Sequence, residues 1–383
     1  MMFGGSYGGR RVFVTGHTGF KGSWLTLWLL ELGAEVTGYA LEPPTVPNLF
    51  EAAGLGDVGR GLVDVRADVR DLQALSRVLQ ECAPDIVFHL AAQPLVRRSY
   101  EQPRLTYETN VMGTVNLLEA VRLSRAQGRR VAVVNVTSDK CYDNPETGLA
   151  CVEDDPLGGF DPYSSSKACS ELITSSYARS YFGARGDRAV ASARAGNVIG
   201  GGDWAEERIL PDCVRALSEG EPVVVRNPQA TRPWQHVLES LAGYLSLGAA
   251  LWRGDPAAAP PAGRGGHAWN FGPSPESHVT VRTVVDLFVA AWGAGEWVAG
   301  DATGAPHEAG MLSLDSEKAK AGLGWRPAWT VREAVESTAL WYRRYYGSAY
   351  AADVASLCRA DIAAYSDAAR RAGAAWAVAG GAS

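Results

Sequence analysis

The chain is poor in the residues that build metal centres and disulfide frameworks. Its 383 residues include six cysteines and six histidines. The cysteines, at 82, 141, 151, 169, 213 and 358, form no CxxC pair and no zinc spacing. They read as reduced packing residues, and no metal is expected. A basic excess is missing too. Thirty-six Lys and Arg stand against 42 Asp and Glu, a net charge of −6, so there is no electrostatic footprint for nucleic acid. No apolar run approaches the ~20 residues that cross a bilayer, and no membrane partner is expected. The opening MMFGGSYGGRR lacks the apolar core of a signal peptide, so the expected location is cytoplasmic. Glycine, by contrast, is plentiful, with 43 residues against the usual ~7%.

The hydrophobic pattern gives those glycines a setting. Arg11–Thr15 reads as a buried strand, followed by the turn Gly16-His17-Thr18-Gly19-Phe20-Lys21-Gly22. An apolar helix then stops at Gly33, and Glu35–Leu41 reads as a second strand, which completes a βαβ unit. The alternation continues with strands at 62–65, 85–90, 130–136 and 189–194, and helices at 72–80, 105–122 and 163–181. Continuous apolar strands between helices predict a parallel sheet covered on both faces. The expected fold class is α/β, a Rossmann doubly wound parallel sheet with a smaller, partly interleaved C-terminal substrate domain. Residues 10–203 form the dinucleotide-binding domain, with returning segments near 233–273. Residues 204–232 and 274–347 form the substrate domain. The ends, 1–9 and 367–383, are rich in Gly and Ala and are expected to be flexible.

Three motifs carry chemistry. In Gly16-x-x-Gly19-x-x-Gly22, glycines let the backbone approach a pyrophosphate, and the helix N-terminus behind them offers free N–H groups. Alone this pattern is a plain turn; between a first strand and a first helix it points to a dinucleotide. The acid that ordinarily holds the adenosine ribose is absent from the end of the second strand, where Gly38-Tyr39-Ala40-Leu41 stands. No arginine replaces it, so NAD is expected over NADP. Asp68, after the third strand, is a candidate adenine contact or a turn cap. The second motif, Tyr163-Ser-Ser-Ser-Lys167, places a phenol and an amine on one helix face. The lysine favours the phenolate, which lets Tyr163 act as a base. The third motif, Thr137-Ser138-Asp139-Lys140, ends a strand where sites in open α/β sheets lie.

Several longer stretches together carry a resemblance: GHTGFKGSW (16–24), HLAAQPLVR (89–97), NVMGT (110–114), TSDKCYDN (137–144), DPYSSSK (161–167), RAGNVIGGGDW (194–204) and RPWQHV (232–237). From about residue 10 to 347 the chain resembles CDP-glucose 4,6-dehydratases, of the extended short-chain dehydrogenase/reductase superfamily. TSDKCYDN is the most specific element, because related dehydratases usually have Asp-Glu where this chain has Asp139-Lys140.

The resemblance implies a reaction. NAD takes a hydride from sugar C4 while Tyr163 removes the 4-hydroxyl proton. Thr137 orients that hydroxyl, and Lys167 tunes Tyr163. Water then leaves across C5–C6, with Asp139 as its acid and either Lys140 or Asp139 as base at C5, and the hydride returns to C6. The implied cofactor contacts are Gly16, His17, Thr18, Gly19, Phe20, Lys21, Gly22, Asp68, Val69, Leu90, Ala91, Ala92, Gln93 and Asn110, with Tyr163 and Lys167. The implied substrate contacts are Asn197, Trp204, Arg208, Arg226, Arg232 and His307, and Trp234 is a further candidate for the cleft wall. A homodimer or homotetramer is expected through the helices at 105–122 and 163–181. Two other readings compete. A CDP-sugar epimerase needs no acid for a leaving hydroxyl, against which Asp139 argues. A non-catalytic dinucleotide sensor tends to lose the Tyr or Lys that this chain keeps.

Overall fold

The computed structural model describes residues 1–57, 61–124, 129–144, 148–182, 186–258, 267–300, 312–347 and 353–378. Seven strands form one parallel sheet: β1 (Arg11–Thr15), β2 (Glu35–Ala40), β3 (Leu62–Arg66), β4 (Ile86–His89), β5 (Val131–Val136), β6 (Arg188–Ala195) and β7 (Ala268–Phe271). Their order is β7-β6-β5-β4-β1-β2-β3. The order reverses between β1 and β4, and the carboxyl ends of strands at such a switch point open a crevice.

Alternation along each strand explains how one sheet feeds two cores. Val12, Val14, Ile86, Phe88, Ala132 and Val134 point to one face. Phe13, Val87, Val131 and Val133 point to the other. Successive side chains leave a strand on opposite faces, so an unbroken apolar run requires cover on both sides.

The second face is covered by α2 (Leu72–Cys82), α3 (Gly113–Leu123) and α4 (Pro162–Tyr177). The first face is covered by α1 (Phe20–Glu31) and α6 (Val237–Arg253). Helix α1 is buried from Gly22 to Leu29, including Trp24 and Trp28, as expected of a helix that is apolar all round. Between α4 and α6 in sequence lies α5 (Ile209–Glu219), and after β7 come α7 (Val281–Trp292) and α8 (Val331–Gly347). These three helices and two short strand pairs make the smaller lobe. Thr231–Pro233 pairs antiparallel with His278–Thr280, and Val223–Val225 pairs parallel with Trp297–Ala299. The chain does return to the large sheet between them, through α6 and β7.

The first residues and the last described ones, up to 378, pack on the core. A last helix, α9 (Val354–Arg371), lies against α1, and its buried stripe is Val354, Cys358, Ile362, Tyr365 and Ala369. Beyond it Trp376 stacks on Phe3 with ring centroids 4.8 Å apart, and the Phe3 amide donates to the Trp376 carbonyl at 2.7 Å. Glu239 on α6 ties this extension down. Its Oε1 accepts from the Ala328 and Trp329 amides, at 2.9 and 2.7 Å, and its Oε2 accepts from the Tyr365 hydroxyl at 2.7 Å. The flexibility expected for 1–9 and for the described part of 367–383 overlooked aromatic anchors standing among alanines and glycines.

Candidate active site

The glycine turn closes against the end of β4. Gly16 has φ +76°, and a Cβ there would stand 2.8 Å from the Ala91 amide nitrogen. A Cβ on Gly22 would stand 2.0 Å from the Gly16 carbonyl oxygen. Both positions therefore exclude any side chain. Gly19 caps α1 with no side-chain hydrogen bond, which leaves first-turn N–H groups for an anion. A cradle of bare backbone at a helix N-terminus, at the switch point of the sheet, fits a dinucleotide pyrophosphate. Thr15 Oγ1 accepts from the Leu90 and Ala91 amides, each at 3.2 Å, and so holds that second loop against the first.

The side chains of the turn go elsewhere. His17 is fully buried, and its Nε2 lies 2.8 Å from Asp64 Oδ1. Its ring occupies the space above Gly38, where a Cβ would meet it at 2.3 Å. Asp64 is the register partner of Gly38 in the neighbouring strand. The acid missing from β2 thus has a counterpart one strand over, engaged by His17. Burial lowers the His17 pKa, against the pull of Asp64. Thr18 Oγ1 donates to the Leu41 carbonyl. Phe20 is half-buried and packs on the main core. Lys21 reaches away from the phosphate turn, and its Nζ donates to the Tyr244 hydroxyl at 3.3 Å. Burial first, then Arg208 and Lys167, bring its pKa down to about 7.

Other expected cofactor contacts are committed within the protein. Asp68 accepts three hydrogen bonds from Arg70, two of them from the guanidinium. They outweigh burial and hold its carboxyl below its usual range. Val69 packs against Gly113. Gln93 and Asn110 bind one another: the Gln93 amide donates to Asn110 Oδ1 at 2.8 Å, and Asn110 Nδ2 donates to the Gln93 carbonyl and to Ser166 Oγ. They fix the loop carrying Leu90, Ala91 and Ala92 to α4. His89 donates or accepts with Thr15 and is a structural residue, its pKa pushed down to about 3 by burial.

The third and second motifs meet at the end of β5. The Thr137 amide donates to the Ala193 carbonyl of β6. Ser138 then caps a short 3₁₀ turn over Asp139–Cys141. Asp139 is 2% exposed, and a Cβ on Gly196 would stand 3.0 Å from its Oδ2. That glycine makes room for the carboxylate. Lys140, next along, is half-buried. Helix α4 is started by Asp161, which accepts from the Ser164 amide, and by Pro162 at its first position. Tyr163 and Lys167 follow one turn apart and are both buried. Lys167 Nζ donates to the Val136 carbonyl at 3.2 Å, beside Thr137. The phenol of Tyr163 departs from expectation. Burial pushes its pKa up to about 12, and the groups pulling it down are Ser138 and Arg208. Burial also brings Lys167 down to about 8, while Glu171 raises it.

The substrate candidates divide. Arg208 stands near Tyr163, and its Nη1 bonds Asp203 Oδ2 at 2.9 Å. Arg232 lies on the Thr231–Pro233 strand and donates to the Thr231 carbonyl. Asn197 follows β6, and its carbonyl accepts from the Gln235 amide. Arg226 is exposed past the Val223–Val225 strand. Trp204 is 5% exposed: its rings pack on Trp341, Tyr342 and Tyr345, and its Nε1 donates to the Tyr346 hydroxyl. The aromatic stripe of α8 claims it for packing. Trp234 likewise donates to the Val279 carbonyl. Gly201 and Gly202 leave room for Trp341 and Leu49. His307 lies outside the described residues.

Sequence reasoning missed Glu171 and Arg194, an ion pair at 2.9 Å with both side chains 3% exposed. The 163, 167, 171 spacing on one helix face was the available signal.

Comparisons with known proteins decide the family. A family model described as GDP-mannose 4,6 dehydratase matches residues 13–248. A CDP-glucose 4,6-dehydratase of Salmonella typhimurium is 48% identical over 88% of this chain and 91% of its own. The chain belongs to this dehydratase family. Solved structures agree on the dehydratase fold. A dTDP-glucose 4,6-dehydratase of Streptomyces venezuelae, a double mutant with NAD and DAU bound, is 26% identical with a TM-score of 0.69, covering 88% of this chain and 98% of its own. A UDP-glucose 4-epimerase of Thermus thermophilus in complex with NAD is 28% identical with a TM-score of 0.70, covering 87% and 99%. Among the described residues no group of His, Cys, Asp and Glu could hold a metal ion, and no helix is long and apolar enough to cross a membrane.

Proposed function

We propose that the chain is an NAD-dependent hydro-lyase that converts CDP-glucose to CDP-4-keto-6-deoxyglucose and water. The observation that carries this reading is Asp139. A buried carboxyl group, in a space that Gly196 keeps open, stands on the turn after Thr137, near Tyr163. An epimerase needs no such acid.

The Gly16–Gly22 turn and the N-terminus of α1 would hold the pyrophosphate of NAD, and Lys167 and Tyr163 would hold its ribose. When bound, it would supply a hydride acceptor for sugar C4 and a hydride donor for C6. As the phenolate, Tyr163 receives the proton of the 4-hydroxyl, and Thr137 positions that hydroxyl. Asp139 protonates the departing 6-hydroxyl. Lys140 takes the C5 proton, which the 4-ketone makes acidic, and gives a proton back to C5 as the hydride arrives at C6. Arg208 and Arg232 neutralise the substrate diphosphate.

Purified protein is incubated with CDP-glucose and NAD, then made alkaline, and the ultraviolet absorbance of the 4-keto-6-deoxy product is read. Product from CDP-glucose supports the reading. Product from dTDP- or GDP-sugars, with none from CDP-glucose, overturns the nucleotide assignment. In Lys140→Met, the exchange of the C5 proton with solvent is expected to disappear; full retention would remove Lys140 as the base. The exposed Tyr107, Met112, Leu172 and Tyr181, near or on α3 and α4, support a homodimer through that face. Six free cysteines fit a cytoplasmic setting.

A further inference from the structure

The turn that leads into Arg208 is fastened at several points, and Asp203 is common to most of them. Asp203 is 5% exposed. Its Oδ1 accepts from the Ala205 amide at 3.0 Å, and its Oδ2 accepts from Arg208 Nη1 at 2.9 Å. Its carbonyl accepts from the Tyr342 hydroxyl of α8. On either side of it, Gly201 leaves room for Trp341, and Trp204 packs into the same aromatic stripe. The chain at Asp203 is therefore anchored to α8, while its carboxylate reaches forward to Arg208.

Between that anchor and α5 the backbone is strained. Glu207 has φ +61°, a left-handed conformation that a side chain makes costly. Such a residue persists only where its surroundings impose it. The Glu207 carboxylate pairs at 2.9 Å with Arg97, on the Val96–Glu101 helix. A part-exposed pair of this kind contributes little alone. The buried Asp203 bridge, which spans the turn from residue 203 to 208, is the stronger constraint. Arg208 follows Glu207 at once as the N-cap of α5, and its side chain makes no cap hydrogen bond there.

A guanidinium carries its N–H donors in a rigid planar fork. Asp203 engages Nη1. Among the described residues Nε and Nη2 bond no protein group, and 35% of the side chain is exposed. The grip on Nη1 thus leaves the Nε–Nη2 edge whole, and that edge matches two oxygens of one phosphate. We infer that Asp203 is a positioning residue that presents the free edge of Arg208 to the substrate diphosphate. An arginine without such a partner is ordered anew by each ligand that binds, at a cost in side-chain freedom. Arg208 is ordered beforehand, through a carboxylate that is itself fixed to α8. Arg226, exposed past the Val223–Val225 strand, has no comparable support.

The inference rests on the reading of Arg208 as a diphosphate contact and adds what holds it in place. Calorimetric titration with CDP, in the presence of NAD, tests the pair without turnover. Arg208→Met should weaken CDP binding about 10- to 100-fold, the size of a lost hydrogen bond to a charged group. Asp203→Asn should weaken it roughly 3- to 10-fold, the size of the ordering that the ligand must then supply. Asp203→Asn added to Arg208→Met should weaken it no further, because a positioning residue has no effect once the residue it positions is gone. A role confined to holding the turn against α8 would lower the melting temperature of Asp203→Asn and leave the two effects on CDP additive. Additive losses, or a parental CDP affinity in either single variant, overturn the inference. Asp203→Glu keeps the charge but displaces it by a methylene, so it replaces Asp203→Asn if that variant does not fold, and it is read by the same two outcomes. A parent that binds dTDP and not CDP overturns the nucleotide assignment, and the same cycle is then decided with dTDP. A parent that binds CDP but does not turn over CDP-glucose overturns the dehydratase reading, while the cycle still decides the role of Asp203.

Discussion

Glu171 and Glu239 are two buried glutamates on two helices of the same molecule, and they behave in opposite ways. Glu171 faces the Arg194 guanidinium and is held ionised. Glu239 is bound by two backbone amides and a phenol, none of them charged, and burial raises its pKa to about 7. Hydrogen bonds alone do not offset the desolvation of a carboxylate, whereas a neighbouring cation does. The difference separates two kinds of buried polar group. One sits among the reacting side chains and must keep a fixed proton inventory. The other clasps the C-terminal extension and gains a proton within the physiological range.

The sharpest way to break the comparison is to remove each carboxylate. Glu171→Ala leaves Arg194 as an uncompensated buried charge and should cost about 3–5 kcal/mol of stability in denaturant unfolding. Glu239→Ala strands no charge and should cost less; equal losses would mean that Arg194 is not what makes Glu171 special. The next effect is in pH. The folded pKa of Glu239 lies above its unfolded value near ~4.3, so the folded state binds more protons between the two. That contribution is full below pH ~4.3 and is lost as pH rises to about 7, on the order of 3 kcal/mol in all. Glu171 has the opposite sign, with stability present above its unfolded pKa and lost as pH falls through its lowered folded one. Glu239→Gln keeps the acceptor for the two backbone amides, turns the Tyr365 contact around, and should flatten the fall in stability between pH ~4.3 and 7; a slope identical to the parent's removes Glu239 as its source. The smallest effect tests the border between the two regions. Trp204→Phe loses the hydrogen bond to Tyr346 and should cost about 1 kcal/mol, with KM for CDP-glucose unchanged. A raised KM with unchanged stability would restore Trp204 to the substrate cleft.

What was legible in the sequence was local. The glycine turn, the Tyr163–Lys167 pair and each of the first six strands lie within one short window, where spacing and periodicity report directly; the seventh strand, Ala268–Phe271, was not read. Tyr163 is placed by a cap that can be read from Asp161 and Pro162 alone. The rest depended on contacts between distant segments. Thr137, Ser192, Arg194 and Glu171 meet only because β5, β6 and α4 are neighbours. Asp64 reaches His17 only through the register that sets it beside Gly38. Trp204 read as a cleft residue because its aromatic partners stand some 140 positions later, on α8. Alanine masked α9, since a helix whose exposed face is also alanine shows little contrast between its two sides.

The stacking of Phe3 on Trp376 has a consequence in time. About 370 residues separate the two rings, and synthesis at ~5–20 residues per second needs roughly 20–75 s to span them. During that interval Phe3 and the outer side of Trp28 lack the cover of Trp376, although the strands beside them have already been made. Phe3 leaves the ribosome long before the ring that covers it, so its exposure lasts as long as the synthesis of the segment between them.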